Sequence, residues 1–288
     1  MILVLLIFVE DINIGAAAAS AQPPVNWSFY VKTTNTAVMQ TLGCNQATYD
    51  NTVSADSEVI LDFGAIIDNS GTQRLVNGTS VSQNTVINLA NYFAYGYATC
   101  TSVHTLKMDV GTNNSNTLNY AKGQAFANTA KQISLFVGYF SNNVQVRGAN
   151  DIETFYNPGS GYHANSVDSY NWYNGYAANG GPPYVNYGSA DGCPQSTSYT
   201  CSYGWNQGDY YNLSYGLGLA LFAPEIYVNP QAQQWYWVEQ FAGQPMYPEG
   251  PLDENDLAGG TYTPAQAWSA LSAFFGVMRY SLEIHNSN

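Results

Sequence analysis

The sequence predicts an α/β protein, a (β/α)8 barrel of TIM type, and three observations carry that expectation. Strand-like runs recur along the whole chain, separated mostly by segments of helical periodicity, the pattern of successive βα units. The runs number eight, and the 288 residues suit one barrel, whose usual length is about 250. An open doubly wound sheet is the rival, but no G-x-G-x-x-G follows the first strand and no Walker loop occurs to give it a nucleotide.

Taken in order, the apolar stretch Met1–Val9 with the small residues that follow reads as an export signal over residues 1–21, atypical in lacking a basic start. The barrel is then expected over residues 22–288. Its strands are WSFYVKT (27–33), EVILDFG (58–64), TLKMDVG (105–111), VQVRGAND (144–151), PYVNYG (183–188), YYNLSYG (210–216), ALFAPEIYV (220–228) and WYWVEQFA (235–242). Residues 81–100 and 122–143 place apolar side chains three and four apart, as amphipathic helices do, and a further helix is expected over Ser166 to Ala178. Thr263-Pro264 opens a terminal helix, with threonine as N-cap and proline in the first turn. The connections around Cys193 and Gln231 look short, so the barrel is expected to be irregular there.

Composition removes several functions. Acidic residues number 20 against seven basic ones, which leaves no cationic surface for phosphates, so neither nucleic acid nor an anionic membrane is an expected partner. Nine apolar residues at the start cannot cross a bilayer core that needs about 20. Cys44, Cys100, Cys193 and Cys201 form an even set without C-x-x-C spacing. Of the three possible pairings, local closure of Cys193 with Cys201 leaves Cys44 with Cys100, as suits a secreted, extracellular protein; buried free thiols are the alternative. The N-x-[ST] sequons at Asn26, Asn77, Asn113 and Asn212 matter only in a glycosylating host. His104, His163 and His285 have no zinc spacing, and no G-x-S-x-G elbow begins a serine triad. Neither cofactor nor metal is expected.

Carboxylates are scarce, yet several stand near the carboxyl ends of the expected strands, where a barrel gathers residues distant in sequence at one mouth. Asp151 and Glu153, two apart after the fourth run, would face the same side and share protons unequally, as a general acid beside a negative stabiliser does. Glu225 in PEIY is the second catalytic candidate, with an inward carboxylate held by tyrosines as its alternative. Asp62, Asp109 and Glu239 are expected around the site, an ion pair from Asp109 to Lys107 or Arg147 being the plainer reading. Tyr156, Tyr187, Trp205 and Tyr227 are the aromatics expected to line a cleft, where sugar C–H faces stack.

The blocks VILDFG, NDIE, YVNYGSADGCPQS, CSYGW, APEIYV and QQWYWVEQFA resemble a group of secreted bacterial proteins. More distantly, the strand-end acids are similar to those of (β/α)8 glycoside hydrolases such as family-25 lysozymes and family-18 chitinases. That resemblance implies Glu153 as proton donor and Asp151 as its assistant, although the full D-x-x-D-x-D-x-E motif is absent. A glycoside hydrolase acting on a polysaccharide is the expectation, with a glycan-binding or surface-structural barrel as its alternative.

Overall fold

The computed structural model describes residues 21–100, 103–113, 115, 117–155, 164–254 and 261–287; the expected export signal lies almost wholly outside them. Its ten strands are β1 (Val25–Tyr30), β2 (Ser57–Ile66), β3 (Gln73–Arg74), β4 (Ser80–Val81), β5 (Leu106–Asn113), β6 (Val144–Asp151), β7 (Tyr184–Asn186), β8 (Ala220–Phe222), β9 (Leu252–Asp253) and β10 (Ser281–Asn286). Eight of them run parallel in the order β8-β7-β6-β5-β2-β1-β10-β9. The two edges of this sheet meet, because Ile226 N donates to Leu252 O, Leu252 N to Pro224 O and Glu249 N to Phe222 O. The sheet thus curls into a TIM-like barrel in chain order, with the β3–β4 hairpin inserted after β2.

Among the described residues seven α-helices lie between the strands: α1 (Thr36–Val53), α2 (Gln83–Cys100), α3 (Tyr120–Gly138), α4 (Ser166–Ala178), α5 (Gln207–Tyr211), α6 (Asn229–Ala242) and α7 (Pro264–Phe275). Asparagine begins four of them: the side chains of Asn35, Asn119, Asn165 and Asn206 accept from the backbone N–H of Ala37, Lys122, Asp168 and Asp209. Much of the asparagine in this chain therefore satisfies helix N-termini that would otherwise be left with free donors. Thr263 caps α7, as its place before Pro264 predicts.

Two of the expected strands are helices. YYNLSYG forms α5 and a π-helical turn, Asn212–Gly216, and WYWVEQFA is the body of α6. Aromatic richness suggested strands, but the buried residues of α6, Gln231, Ala232, Gln234, Trp235 and Val238, follow helical spacing. Pro230 and left-handed Gly243 bound that helix as start and stop signals. Their places in the barrel go to β9, only two residues long, and to β10, which follows the break at Gly276.

Outer helices pack in close pairs. A side chain on Gly43 of α1 would strike the Phe93 carbonyl of α2, and one on Gly96 of α2 would strike Gln40 of α1. Gly123 of α3 and Gly175 of α4 stand in the same relation to Trp172 and Tyr120. Cys44–Cys100 ties α1 to α2 across 56 residues, and Cys193–Cys201 closes a span of 8, so both expected disulfides are present. Among the described residues no helix is long and apolar enough to cross a membrane.

Two outcomes test this packing. Gly96→Ala should destabilise by about 1–3 kcal/mol, the usual cost of overfilling a tight contact, read by urea denaturation. Cys44→Ser with Cys100→Ser should lower stability more than opening Cys193–Cys201, because the larger loop constrains the unfolded chain more, by about 4 against about 2.5 kcal/mol in the loop-entropy relation; scanning calorimetry would compare them.

Candidate functional site

Inward-facing residues stack in three tiers because strand side chains alternate with a period of two. The middle tier is apolar and includes Ile60, Ala149, Val185, Ala223, Leu252 and Leu282. Two residues earlier on β2 and β6 come Glu58 and Arg147, and two residues later come Asp62 and Asp151; the same step from Val185, Ala223 and Leu252 reaches Tyr187, Glu225 and Glu254. One ionic tier therefore lies towards the strands' amino ends and one at their carboxyl ends.

The lower tier is paired. Arg147 grips Asp109 with two bonds, Nε to Oδ1 at 2.6 Å and Nη2 to Oδ2 at 2.7 Å. It also reaches Glu58 at 3.0 Å and Glu249 at 3.0 Å, while Lys107 binds Glu249 at 2.7 Å. Three acids thus meet two bases, and burial pushes Glu58 up to about 8 despite Arg147. Asp109, expected near the mouth, belongs here instead, held by the ion pair.

The upper tier has acids without bases. One carboxyl oxygen from each of Asp151, Glu153 and Glu225 lies within 4.8 Å of the other two. Asp62 ends the regular part of β2, where register shifts and Gly64, at φ 68°, donates its N–H to Asp62 Oδ1 at 2.6 Å. The bulge interrupts the ladder with β5, which resumes at Ala65 opposite Asn113, as bulges beside sites often do. Asn113 Nδ2 donates to Asp151 Oδ2 at 2.9 Å, whereas Asp151 Oδ1 and Asp62 Oδ2, both buried, accept no hydrogen bond. The Tyr227 hydroxyl donates to Glu225 Oε1 at 2.6 Å.

Burial is the main influence on every one of these acids. It pushes Asp62 up to about 6, against hydrogen bonds that lower it, and Asp151 up to about 7, with Asp62 and Glu254 adding to the rise. Glu153 and Glu225 are raised well above the usual carboxylate range, by burial and then chiefly by Asp151. Burial also raises Glu254 and Asp191. No basic residue is among the groups that shift these six carboxyls.

Gln231 ties the rim together. Its Nε2 donates to Asp191 Oδ2 at 2.9 Å and to Ser189 Oγ at 3.1 Å, and its Oε1 accepts from the backbone N–H of Tyr227 and Val228. The loop carrying Glu225 and the loop beside Glu153 are thereby locked to one side chain.

Of the residues expected from the sequence, Asp62, Asp151, Glu153, Glu225, Tyr187 and Tyr227 come together at the mouth. Tyr187 is enclosed in the barrel, its hydroxyl bonded to the Thr112 carbonyl and lying over Gly111, where a side chain would meet it. Glu239 is on α6 and accepts from Met246 N at 2.9 Å, away from the mouth, because its segment is a helix. Trp205 is only 1% exposed and packs against Tyr210 in the outer core, not in a cleft. Tyr156 lies outside the described residues. Glu254, Asn113 and Tyr30 were not anticipated: Glu254 follows the two-residue β9, Asn113 looked like a sequon, and Tyr30 was one aromatic among many. A separate groove of about 760 Å3 between α2 and α3 is lined by tyrosine, phenylalanine, aliphatic and amide side chains, with no acid or base.

No family model and no curated protein matches the chain. A solved structure from Burkholderia cenocepacia J2315, provisionally described as a lyase/mutase, is similar over 91% of this chain and 77% of that one, at 10% identity and a TM-score of 0.45. The expectation of a glycoside hydrolase is corrected. That solved structure is described as a lyase/mutase and not as a glycoside hydrolase. Trp205 and Tyr187, expected to line a cleft as stacking platforms, are enclosed.

Each raised carboxyl binds more protons folded than unfolded. For Asp62 and Asp151 that excess runs from about pH 4 to about 6 and 7, and for Glu58 to about 8. Stability is thus fully present below the unfolded values and lost as pH rises through the folded ones. Urea unfolding in chelator should show lower stability at pH 8 than at pH 5; a flat or rising profile would contradict the site as described.

Proposed function

We propose that the barrel mouth holds a hard divalent cation through Asp151, Glu153 and Glu225 and presents it to an oxygen-bearing substrate, as a metal-dependent enzyme would. The observation that supports this reading is the convergence of three carboxyl oxygens within 4.8 Å beside a buried, unpartnered Asp62 oxygen and no neighbouring base. Like charges so placed are costly unless protons or a cation join them. An all-oxygen donor set without histidine or cysteine suits magnesium, calcium or manganese over zinc or copper. Such an ion supplies Lewis acidity towards a bound oxygen. The chain's own part is to fix the carboxyls: Tyr227 orients Glu225, Asn113 orients Asp151, and Gln231 locks the rim. Glu254, next to the trio but outside it, is the group available to take or give a proton. The two disulfides support an oxidising, extracellular setting.

Binding to the folded state alone stabilises by about 2.7 kcal/mol at one hundred times Kd. Manganese or calcium should therefore raise Tm by several degrees at pH 8 and much less at pH 5, where protons compete. Glu225→Gln should lose most of that rise while retaining the fold. Equal cation effects in wild type and variant, by differential scanning fluorimetry and calorimetric titration, would count against the assignment.

A further inference from the structure

The groups around the mouth also limit what can bind there. Beyond the trio stand Asp62 and Glu254, both of which act on Asp151 through their charge, and Asp191, which acts on Glu153. A divalent cation offsets two negative charges among these six carboxyls and leaves the surroundings acidic. The seven basic residues of the chain do not redress this. Lys107 and Arg147 are held in the lower tier, beneath the apolar layer. Arg279 pairs with Asp56, Lys122 Nζ binds the Ile66 carbonyl and Thr117, and Lys131 Nζ binds the Asn179 carbonyl. Lys32 follows β1 and Arg74 lies on β3, and neither shifts any carboxyl of the mouth. Sites that take phosphates or carboxylates commonly supply arginine or lysine to them, and no such side chain faces this tier among the described residues.

The donors that are present are neutral: the Asn113 amide and the hydroxyls of Tyr30, Tyr187 and Tyr227 in the midst of the acids. The independent sign that a ligand is awaited is Asp151 Oδ1, in a side chain more than nine-tenths buried, which accepts nothing and so calls for a hydroxyl donor or a cation.

We infer that the substrate of this mouth reaches the cation through neutral hydroxyl or carbonyl oxygens and carries no phosphate or carboxylate group. The inference rests on the cation reading above. An anionic ligand would have to enter against the unneutralised carboxyls, at a cost that grows as water is excluded, whereas a hydroxyl can donate to them.

Manganese bound to the full-length protein provides the test, because its effect on water-proton relaxation falls when a ligand displaces metal-bound water. myo-Inositol and dihydroxyacetone, as neutral probes, should lower the relaxation enhancement of the manganese-loaded protein at millimolar concentration. Oxalate and inorganic phosphate, far stronger ligands for free manganese, should form no ternary complex and act only by stripping the metal, which equilibrium dialysis would detect as manganese leaving the protein. A ternary complex with oxalate or phosphate at concentrations where the neutral probes have no effect overturns the inference, as does an absence of response to both neutral probes. Failure of manganese to bind at all, or equal binding to Glu225→Gln, sinks the cation reading itself and is seen before any probe is added.

Discussion

The constraint on which the rest of the structure turns is electrostatic: several carboxyl groups are held close together, out of water, with no base among them. A barrel can impose this because its strands fix each inward side chain by register, and acids from β2, β6 and the segments after β6, β8 and β9 have nowhere else to point. Their repulsion is tolerated because carboxyls can keep their protons, and the raised values of Asp62 and Asp151 are that tolerance made visible. The fold thus keeps these acids together at one place.

The apolar tier makes this demand local. Ile60, Ala149, Val185, Ala223, Leu252 and Leu282 form a dry plug between the two ionic layers. Arg147, which could have neutralised the mouth, is instead two residues below Ala149 and bound to Asp109 and Glu58. The same fold therefore contains an ion-paired acid–base cluster and an acid cluster without bases, separated by a single layer of hydrocarbon. The lower one is tied into the core, and the upper one is the candidate site.

The barrel class and its first five parallel strands were legible because WSFYVKT, EVILDFG, TLKMDVG, VQVRGAND and PYVNYG are dense in β-formers and the last four are separated by segments that read as helices, whereas α1, between the first two, carried no such reading. The total of eight was reached with two wrong members, YYNLSYG and WYWVEQFA, in place of β9 and β10. Tyrosine and tryptophan serve helices as readily as strands when they pack outward onto a core, as Tyr210 and Trp235 do. A two-residue strand such as β9 has no pattern to read, and Glu254 was lost with it. Asp62, Asp151, Glu153 and Glu225 could be found because they follow recognisable strands. Asp109 could not be separated from them, since a strand carries both lower and upper tiers on one face and a single sequence does not say where along the barrel each residue stops. What the acids do together was not legible, because it depends on distances between strands.

The glycine crossings have an architectural corollary. α1 is clasped to α2 and α3 to α4 by backbone touching backbone, each pair through two reciprocal glycines, while α2 and α3 meet across the aromatic groove. Half of the outer shell is thus assembled from two rigid couples with a softer seam between them. Any widening of the cylinder on that side would open along the seam, leaving each couple, and the strands it covers, to turn as a unit.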